Sequence, residues 1–313
     1  MPRGRGTARA PRFTTFRADT DPQEAARAIA SGSCGVAFPC VVKPLDLSGS
    51  RGVIRADDQS SLVSAVARVA ALVSSPEVCP PGERPQRILV EDFIAGSEVA
   101  LEGLLRAGRL EVLAIFDKPD PLDGPYFEET IYVTPSRLPP ETQDEIAREA
   151  QAATRALGLT EGPIHAELRL NEAGAWVLEV AARSIGGLCS RTLRFGAGIS
   201  LEELIVRHAA GIEIPTLERE RRAAGVMMLP IAHRGTLREI RGQDDAKRVP
   251  GIAGLVITMV PGSELVPLPE GDRYLGFMFA RAETPEDVER ALREAHAKLE
   301  TVLERPRATP LAQ

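Results

Sequence analysis

Glu167 and Glu179 stand on the two arms of H-A-E-L-R-L-N-E-A-G-A-W-V-L-E-V-A-A-R, the stretch from His165 to Arg183. The pattern predicts a β-hairpin. Glu167, Arg169 and Asn171 alternate with Leu168 and Leu170, and N-E-A-G makes the turn. On the return arm Trp176, Leu178 and Val180 take one face, while Val177, Glu179 and Ala181 take the other. Antiparallel pairing across a short turn brings the two carboxylates onto one face and close together. Carboxylates at that range repel, so the arrangement calls for a cation between them, and hard oxygen ligands suit Mg²⁺. Arg183 adds a fixed positive charge just beyond the strand. His165 shares the face of Glu167 by the period of two, either aimed into a cleft or held by a hydrogen bond. Taken alone, the hairpin has a plainer alternative, a pair of glutamates facing water.

Two further segments carry chemistry. V-V-K-P-L-D-L-S-G-S-R-G-V, Val41 to Val53, sets a lysine at a strand end before a Ser/Gly-rich loop. Backbone N–H groups around Ser48, Gly49, Ser50 and Gly52 can wrap phosphate oxygens, with Lys43 neutralising charge. The segment is no P-loop, because G-x-x-x-x-G-K-[ST] occurs nowhere. A Ser/Gly turn beside a surface lysine is the alternative. In I-L-V-E-D-F-I-A-G-S-E-V, Ile88 to Val99, Glu91 and Glu98 flank a bend at Ala95-Gly96. A bend between lobes exposes backbone groups able to read an adenine edge, and a carboxylate such as Glu98 suits the hydroxyls of a ribose. An ordinary strand-turn-strand is the competing reading. The Pro/Gly-rich loop Phe116 to Glu129 offers Lys118, Glu128 and Glu129 to an active-site rim or to solvent. Gly186 and Gly187, followed by Arg191 and Arg194, are candidates to hold a substrate carboxylate. Cys189 reads as packing.

These residues need elements to position them, and the chain supplies alternating strands and helices. Helices are predicted over Asp21–Ala30, Asp57–Val73, Pro139–Gly158, Ser200–Gly211 and Thr284–Glu300. The second carries Leu62, Val66, Val69 and Val73 at helical spacing. Pro22 and Pro285 suit first turns, Thr284 an N-cap and Gly158 a C-terminal stop. Strands are predicted over Phe38–Pro44 and Arg87–Ile94, and a hairpin over Val99–Asp117 with its turn at Ala107-Gly108. Pro76 to Pro85 is a loop by its prolines. A charged linker, Ile214 to Gly225, precedes a smaller module with strands in G-V-M-M-L-P-I, L-V-I-T-M-V and Y-L-G-F-M-F-A.

Length and composition bound the reading. At 313 residues the chain has room for two or three domains. A net charge of -6 argues against a general nucleic-acid binder, which needs a basic surface to displace counterions. Cys34, Cys40, Cys79 and Cys189 form no C-x-x-C pair, which argues against a zinc ribbon or disulfide scaffold and points to the cytoplasm. No apolar run is long enough to span a bilayer, so no membrane partner is expected. The basic first residues lack the apolar core of a signal peptide.

In the order V-V-K-P, S-G-S-R-G, V-E-D-F-I-A-G-S-E and H-A-E-L-R-L…L-E-V-A-A-R, the motifs resemble the ATP-grasp superfamily from about Pro11 to Gly211. The segment E-V-A-A-R-S-I-G-G and the tail from Gly225 to about Leu303 are similar to carbamoyl-phosphate-synthetase-like ligases of the L-amino-acid ligase type. The resemblance implies an α+β fold, with two α+β lobes of antiparallel sheets holding ATP and a small α+β C-terminal domain. It implies a basic arm and remnant strand over 1–20, an incomplete first lobe over 21–105, a second lobe with the metal site over 106–213, and the C-terminal domain over 222–305. It implies Lys43 as an ATP-binding lysine and Ser48, Gly49, Ser50 and Gly52 as the phosphate lid. Glu91, Asp92, Phe93 and Ile94 would form the adenine hinge, and Glu98 would bind ribose. Glu167 and Glu179 would hold Mg²⁺, or Mn²⁺ in its place. Arg183 would act in catalysis, and His165, Glu128, Gly186, Gly187 and Arg191 would face substrate. The implied activity joins a small-molecule carboxylate to an amine through an acyl phosphate, with a homodimer compatible with it.

The chain departs from the pattern twice. Ala181 stands where many members carry a metal-binding Asn, a replacement that the amino-acid ligase branch tolerates. No lysine precedes Lys43, and the resemblance implies a first ATP-binding lysine and an N-terminal domain before P-R-F-T-T-F, both expected to be absent from this sequence. The alternative is therefore a truncated or non-catalytic ATP-binding protein that needs a partner or the missing domain.

Overall fold

The computed structural model describes residues 7–83 and 87–304. Residues 1–6 of the expected basic arm, the Arg84-Pro85 end of the proline loop and Arg305 at the end of the expected C-terminal domain lie outside this range.

The first lobe begins with β1 (Phe13–Arg17), α1 (Pro22–Ala30), β2 (Cys40–Pro44), β3 (Ile54–Ala56), α2 (Gln59–Val73) and β4 (Arg87–Asp92). Its sheet has the order β1-β4-β2-β3 and is antiparallel at every pairing. Both helices start where side chains can satisfy their free N–H groups. The Asp21 carboxylate accepts from Gln23 N–H ahead of Pro22, and Asp58 and Ser61 form a reciprocal cap. Leu62, Val66, Val69 and Val73 meet Val42, Ile88 and Val90 in the lobe's core, as their spacing predicts.

The chain then enters a larger sheet. β5 (Ser97–Arg106) and β6 (Arg109–Asp117) form the expected hairpin, with Ala107 and Gly108 both at positive φ. β7 (Ile131–Thr134), α3 (Pro140–Ala156), β8 (Gly162–Asn171) and β9 (Gly174–Ala181) follow. A short 3₁₀ turn (Cys189–Thr192) precedes the small ladder β10 (Arg194–Phe195) and β11 (Ile199–Ser200), then α4 (Leu201–Ala209). The rest comprises β12 (Ala223–Leu229), β13 (Gly235–Arg241), α5 (Gln243–Lys247), β14 (Ile252–Ile257), β15 (Glu264–Leu265), β16 (Gly276–Ala282), α6 (Pro285–His296) and β17 (Glu300–Leu303).

Eight strands form one antiparallel sheet in the order β14-β16-β12-β7-β6-β5-β8-β9. Two domain boundaries expected from the sequence look different in this light. β5, placed with the first lobe as far as residue 105, lies inside the large sheet, because it pairs with β6 on one edge and β8 on the other. Segment 222–305 has its own core around Met227, Met278, Val288 and Leu292, yet its strands continue the same sheet through the pairing of β12 with β7. Every residue of β12 is buried, and a strand so covered finds backbone partners on both edges, here β7 and β16. β13, β15 and β17 make a separate three-stranded sheet. Among the described residues no helix is long and apolar enough to cross a membrane.

Candidate active site

Glu167 and Glu179 are direct partners in the β8–β9 ladder, flanked by His165 opposite Ala181 and Ala166 opposite Val180. Past Glu167 the register slips, Leu168 faces Val177, and Leu178 is left as an extra residue on β9. A bulge of this kind resets the alternation of faces. Val177 therefore joins the buried cluster with Ala175 and Leu168, while Leu178 lines the cleft. The expected placing of Val177 beside Glu179 is corrected accordingly, since strict period two has no place for an unpaired residue.

The carboxylates open into a cavity of about 490 Å³ between the first lobe and the large sheet. Lys43, the Ser48–Ser50 segment and residues Glu91–Ile94 wall its first-lobe side. Glu98, Glu129, Glu167 and Glu179 lie toward the sheet, with Arg183, Gly186 and Gly187 on the loop that follows β9. Met228, Tyr274 and Phe277, from the C-terminal segment, close the far end.

Buried behind the carboxylates of this wall is Lys118, which a loop reading would leave at the rim. It follows β6 directly, its side chain is 3% exposed, and its Nζ donates to Glu129 Oε1 at 2.6 Å, Glu98 Oε1 at 2.7 Å and Glu167 Oε1 at 3.0 Å. Tyr132 Oη donates to Glu129 Oε1 at 2.6 Å. Oxygens of Glu98, Glu129 and Glu167 come within 4.8 Å of one another, so the ammonium is what makes their approach tolerable. Burial alone would raise the Glu167 carboxyl, but Lys118 and His165 hold it well below the usual range. Burial and the charge of Glu167 push Glu129 up to about 7, against the pull of Lys118. His165 rises to about 9, because Glu102 at 3.2 Å and Glu167 at 3.6 Å outweigh its burial.

Glu179 differs from its partner. Among the described residues its carboxylate has no hydrogen bond or ion pair, and it opens to the cleft. Enclosure by the cleft walls raises its carboxyl, and the charge of Glu167 raises it further. Two opposed carboxylates, one of them without a direct partner and facing a cavity, make a donor set that fits a hard divalent cation, with the remaining positions left to ligand oxygens or water.

The first-lobe side is held by Arg169, which sequence patterning leaves as an ordinary hairpin residue. It is 2% exposed, and it donates to Glu98 Oε2 at 2.9 Å, to the Ile94 carbonyl at 2.8 Å and to the Leu122 carbonyl. Its guanidinium also lies against the rings of Phe93 and Phe127. Glu98, expected at a ribose, thus has both oxygens engaged by Arg169 and Lys118. A carboxylate this buried needs paired cations, so it serves charge balance in this structure. Around the bend, the Asp92 and Phe93 N–H groups donate to the Arg12 and Pro39 carbonyls. The Asp92 carboxylate binds Arg12 and Ala37 N–H. Among the described residues Ile94 N–H has no partner and remains available to a ligand edge. The bend itself demands glycine: Gly96 has φ 128°, and a Cβ there would stand 2.0 Å from the Leu170 carbonyl oxygen.

Lys43 pairs with Glu91 at 2.5 Å. Ser48, Gly49 and Ser50 line the cavity, but Gly52 does not. Gly52 N–H donates to the Pro269 carbonyl at 2.7 Å, and beside it Arg51 Nε donates to the Glu270 carbonyl at 2.8 Å. The loop is therefore fastened to the C-terminal segment at its far side. Three residues expected near substrate, His165, Gly186 and Gly187, line the cavity wall. Glu128 lines a small cavity behind, with Tyr274 and Gly49, while its neighbour Glu129 takes the inward place. Arg191 is exposed on the 3₁₀ turn and outside the cavity, because that turn sends Cys189 inward instead. Arg194 donates to the Leu193 carbonyl.

The two sheets and the cleft between them define a two-lobed α+β scaffold, and comparison with known proteins gives the family. Residues 36–192 match the model of the ATP-grasp domain, and the chain belongs to the ATP-grasp family. Residues 227–304 match L-amino acid ligase C-terminal domain 2. The crystal structure of an L-amino acid ligase from Bacillus licheniformis superposes with a TM-score of 0.76 at 30% identity, over 94% of this chain and 69% of that one. Alanine–anticapsin ligase of Bacillus subtilis is 26% identical over 186 residues, 55% of this chain and 38% of the relative. An uncharacterized protein of Sinorhizobium fredii is 28% identical over 235 residues, 74% of this chain and 46% of its own length. The chain thus spans less than half the length of these two relatives.

Proposed function

We propose that the chain carries the ATP- and metal-binding part of a ligase that joins a small-molecule carboxylate to an amine through an acyl phosphate. The observation that supports this best is the opposed pair Glu167 and Glu179, in one cavity with Lys43 and Arg183. ATP with Mg²⁺ or Mn²⁺ supplies the phosphoryl group and the charge neutralisation for its transfer. Glu167 and Glu179 would hold the cation, with Glu167 kept ionised by Lys118. Lys43 and the Ser48–Ser50 backbone would steady phosphate oxygens, and Ile94 N–H with the Phe93 ring would meet the base. Arg183 would stabilise charge on the transferring group. The lobes on either side shield the acyl phosphate from water.

The amine then displaces phosphate to give the amide. The substrates we favour are amino acids, as in the names of the relatives. Met228 and Phe277, 3% and 7% exposed, suit an apolar side chain at the far end of the cavity. The test is phosphate release with ATP, Mg²⁺ and pairs drawn from a panel of amino acids. Turnover with at least one pair supports the reading. ATP binding without release above background for any pair would defeat it.

A further inference from the structure

β5 is apolar along Val99–Leu105 except at Gly103 and Glu102, and Glu102 is 1% exposed. An ionised carboxylate in such a place is costly unless its oxygens are engaged. Among the described residues no lysine or arginine forms an ion pair with it. Its partners are two groups of the site. Glu102 sits directly across the β5–β8 ladder from His165, and its Oε2 lies 3.2 Å from His165 Nδ1. Its Oε1 accepts from Ile185 N–H at 2.6 Å, with Oε2 at 3.2 Å from the same donor.

Those contacts join separate parts of the cleft. His165 shares β8 with Glu167, and its Nε2 is 3.6 Å from Glu167 Oε1. Ile185 belongs to the loop of Arg183, Gly186 and Gly187, which leaves β9 without strand partners of its own. A leucine at 102 would fill the same space with no polar group to satisfy, so packing alone does not call for an acid. Among the described residues this carboxylate is the one side chain that bonds both His165 and the loop.

We propose that Glu102 is a positioning residue. It fixes the His165 ring so that Nε2 faces Glu167, and it clamps Ile185 so that Arg183 and Gly186 stay beside the phosphate site. Its effect on turnover rests on the ligase reading above; its effect on the two bonded groups does not.

The test uses the full chain with ¹⁵N-labelled histidine, the Glu102→Leu and Glu102→Gln variants, and three readouts. In Glu102→Leu the His165 ring-nitrogen signals should move, and exchange of the Ile185 amide should accelerate ~100-fold as its acceptor is lost. Phosphate release should fall ~100-fold in kcat while KM for ATP stays within about threefold, the signature of misplaced groups. Glu102→Gln keeps a carbonyl for Ile185, so it should retain amide protection, still move the His165 signals and recover part of kcat. If Glu102→Leu does not fold, the Gln variant decides alone. Unchanged His165 signals in Glu102→Gln, or a folded Glu102→Leu with Ile185 protection intact, overturns the proposal. Absence of turnover in the parent chain overturns the ligase reading instead, and the ring-nitrogen and exchange measurements still decide the clamp.

Discussion

Replacing Lys118 by methionine shortens the unbranched side chain by one atom and removes the one cation shared by Glu98, Glu129 and Glu167. Glu98 retains Arg169 at 2.9 Å, and Glu129 is already raised to about 7, so it takes up a proton at little cost near neutrality. The stranded group is Glu167, left with His165 at 3.6 Å and the Tyr132 hydroxyl at 3.4 Å. Protonating a carboxyl of ordinary pKa 4.5 at pH 7 costs about 3.4 kcal/mol, and breaking a buried pair costs about 3–5 kcal/mol. The two routes agree on a loss of about 3–4 kcal/mol at pH 7. The sign of the pH dependence follows from the depressed carboxyl of Glu167. Its stabilisation is present above the ordinary value and is lost as pH falls through the lower folded value, whereas Lys118, raised well above 10.5, stays charged throughout. The gap between parent and variant should therefore be widest at pH 7 and above and narrow in acid. Urea denaturation across that range measures it. Millimolar Mg²⁺ or Ca²⁺ should also raise the midpoint of the variant more than that of the parent, because the three carboxylate oxygens within 4.8 Å become a cation site once the ammonium is gone. A loss below about 1 kcal/mol at pH 7, or one independent of pH, would refute the assignment of Lys118 as the electrostatic keystone of the site.

Glu129→Gln should flatten the stability profile between pH 4.5 and 7, where the parent loses stability with rising pH because its folded carboxyl is raised to about 7; an unchanged slope in denaturation midpoints would count against this. Glu179→Gln should leave the resting chain as stable as the parent or slightly more so, since it removes a raised carboxyl beside Glu167, yet bring Mg²⁺-dependent ATP turnover to background. Retained turnover would show that the cation is held elsewhere. Gly96→Ala should cost about 3 kcal/mol, because its Cβ would meet the Leu170 carbonyl oxygen at 2.0 Å and its backbone has φ 128°. Unfolding free energies from urea titrations that agree within about 1 kcal/mol would show that the bend shifts freely.

What the sequence reveals and what it hides divide along the range of the interactions. Glu167 and Glu179 face each other within one hairpin, where period two and a short turn place both groups from local pattern alone. The helices carry their own signals in Asp21, Asp58 and Thr284, whose side chains cap them in the fold. Leu178 shows where a local pattern fails: an extra residue in a strand leaves composition unchanged and exchanges the faces of what precedes it. Lys118 and Arg169 fail for another reason. Each looks like a surface cation by type, and only the convergence of β5, β8 and the segment leading into β7 shows that buried carboxylates await them. The same holds for Met228 and Phe277, which reach the cleft because β12 pairs with β7 and β16 with β12, across a gap that no periodicity spans. Glu102 is the instructive case between these limits. An acid inside V-A-L-E-G-L-L contradicts the burial of its own strand, and that local conflict is visible before any fold is known. Which partners resolve the conflict is visible only afterwards, when His165 and Ile185 arrive from segments more than sixty residues away.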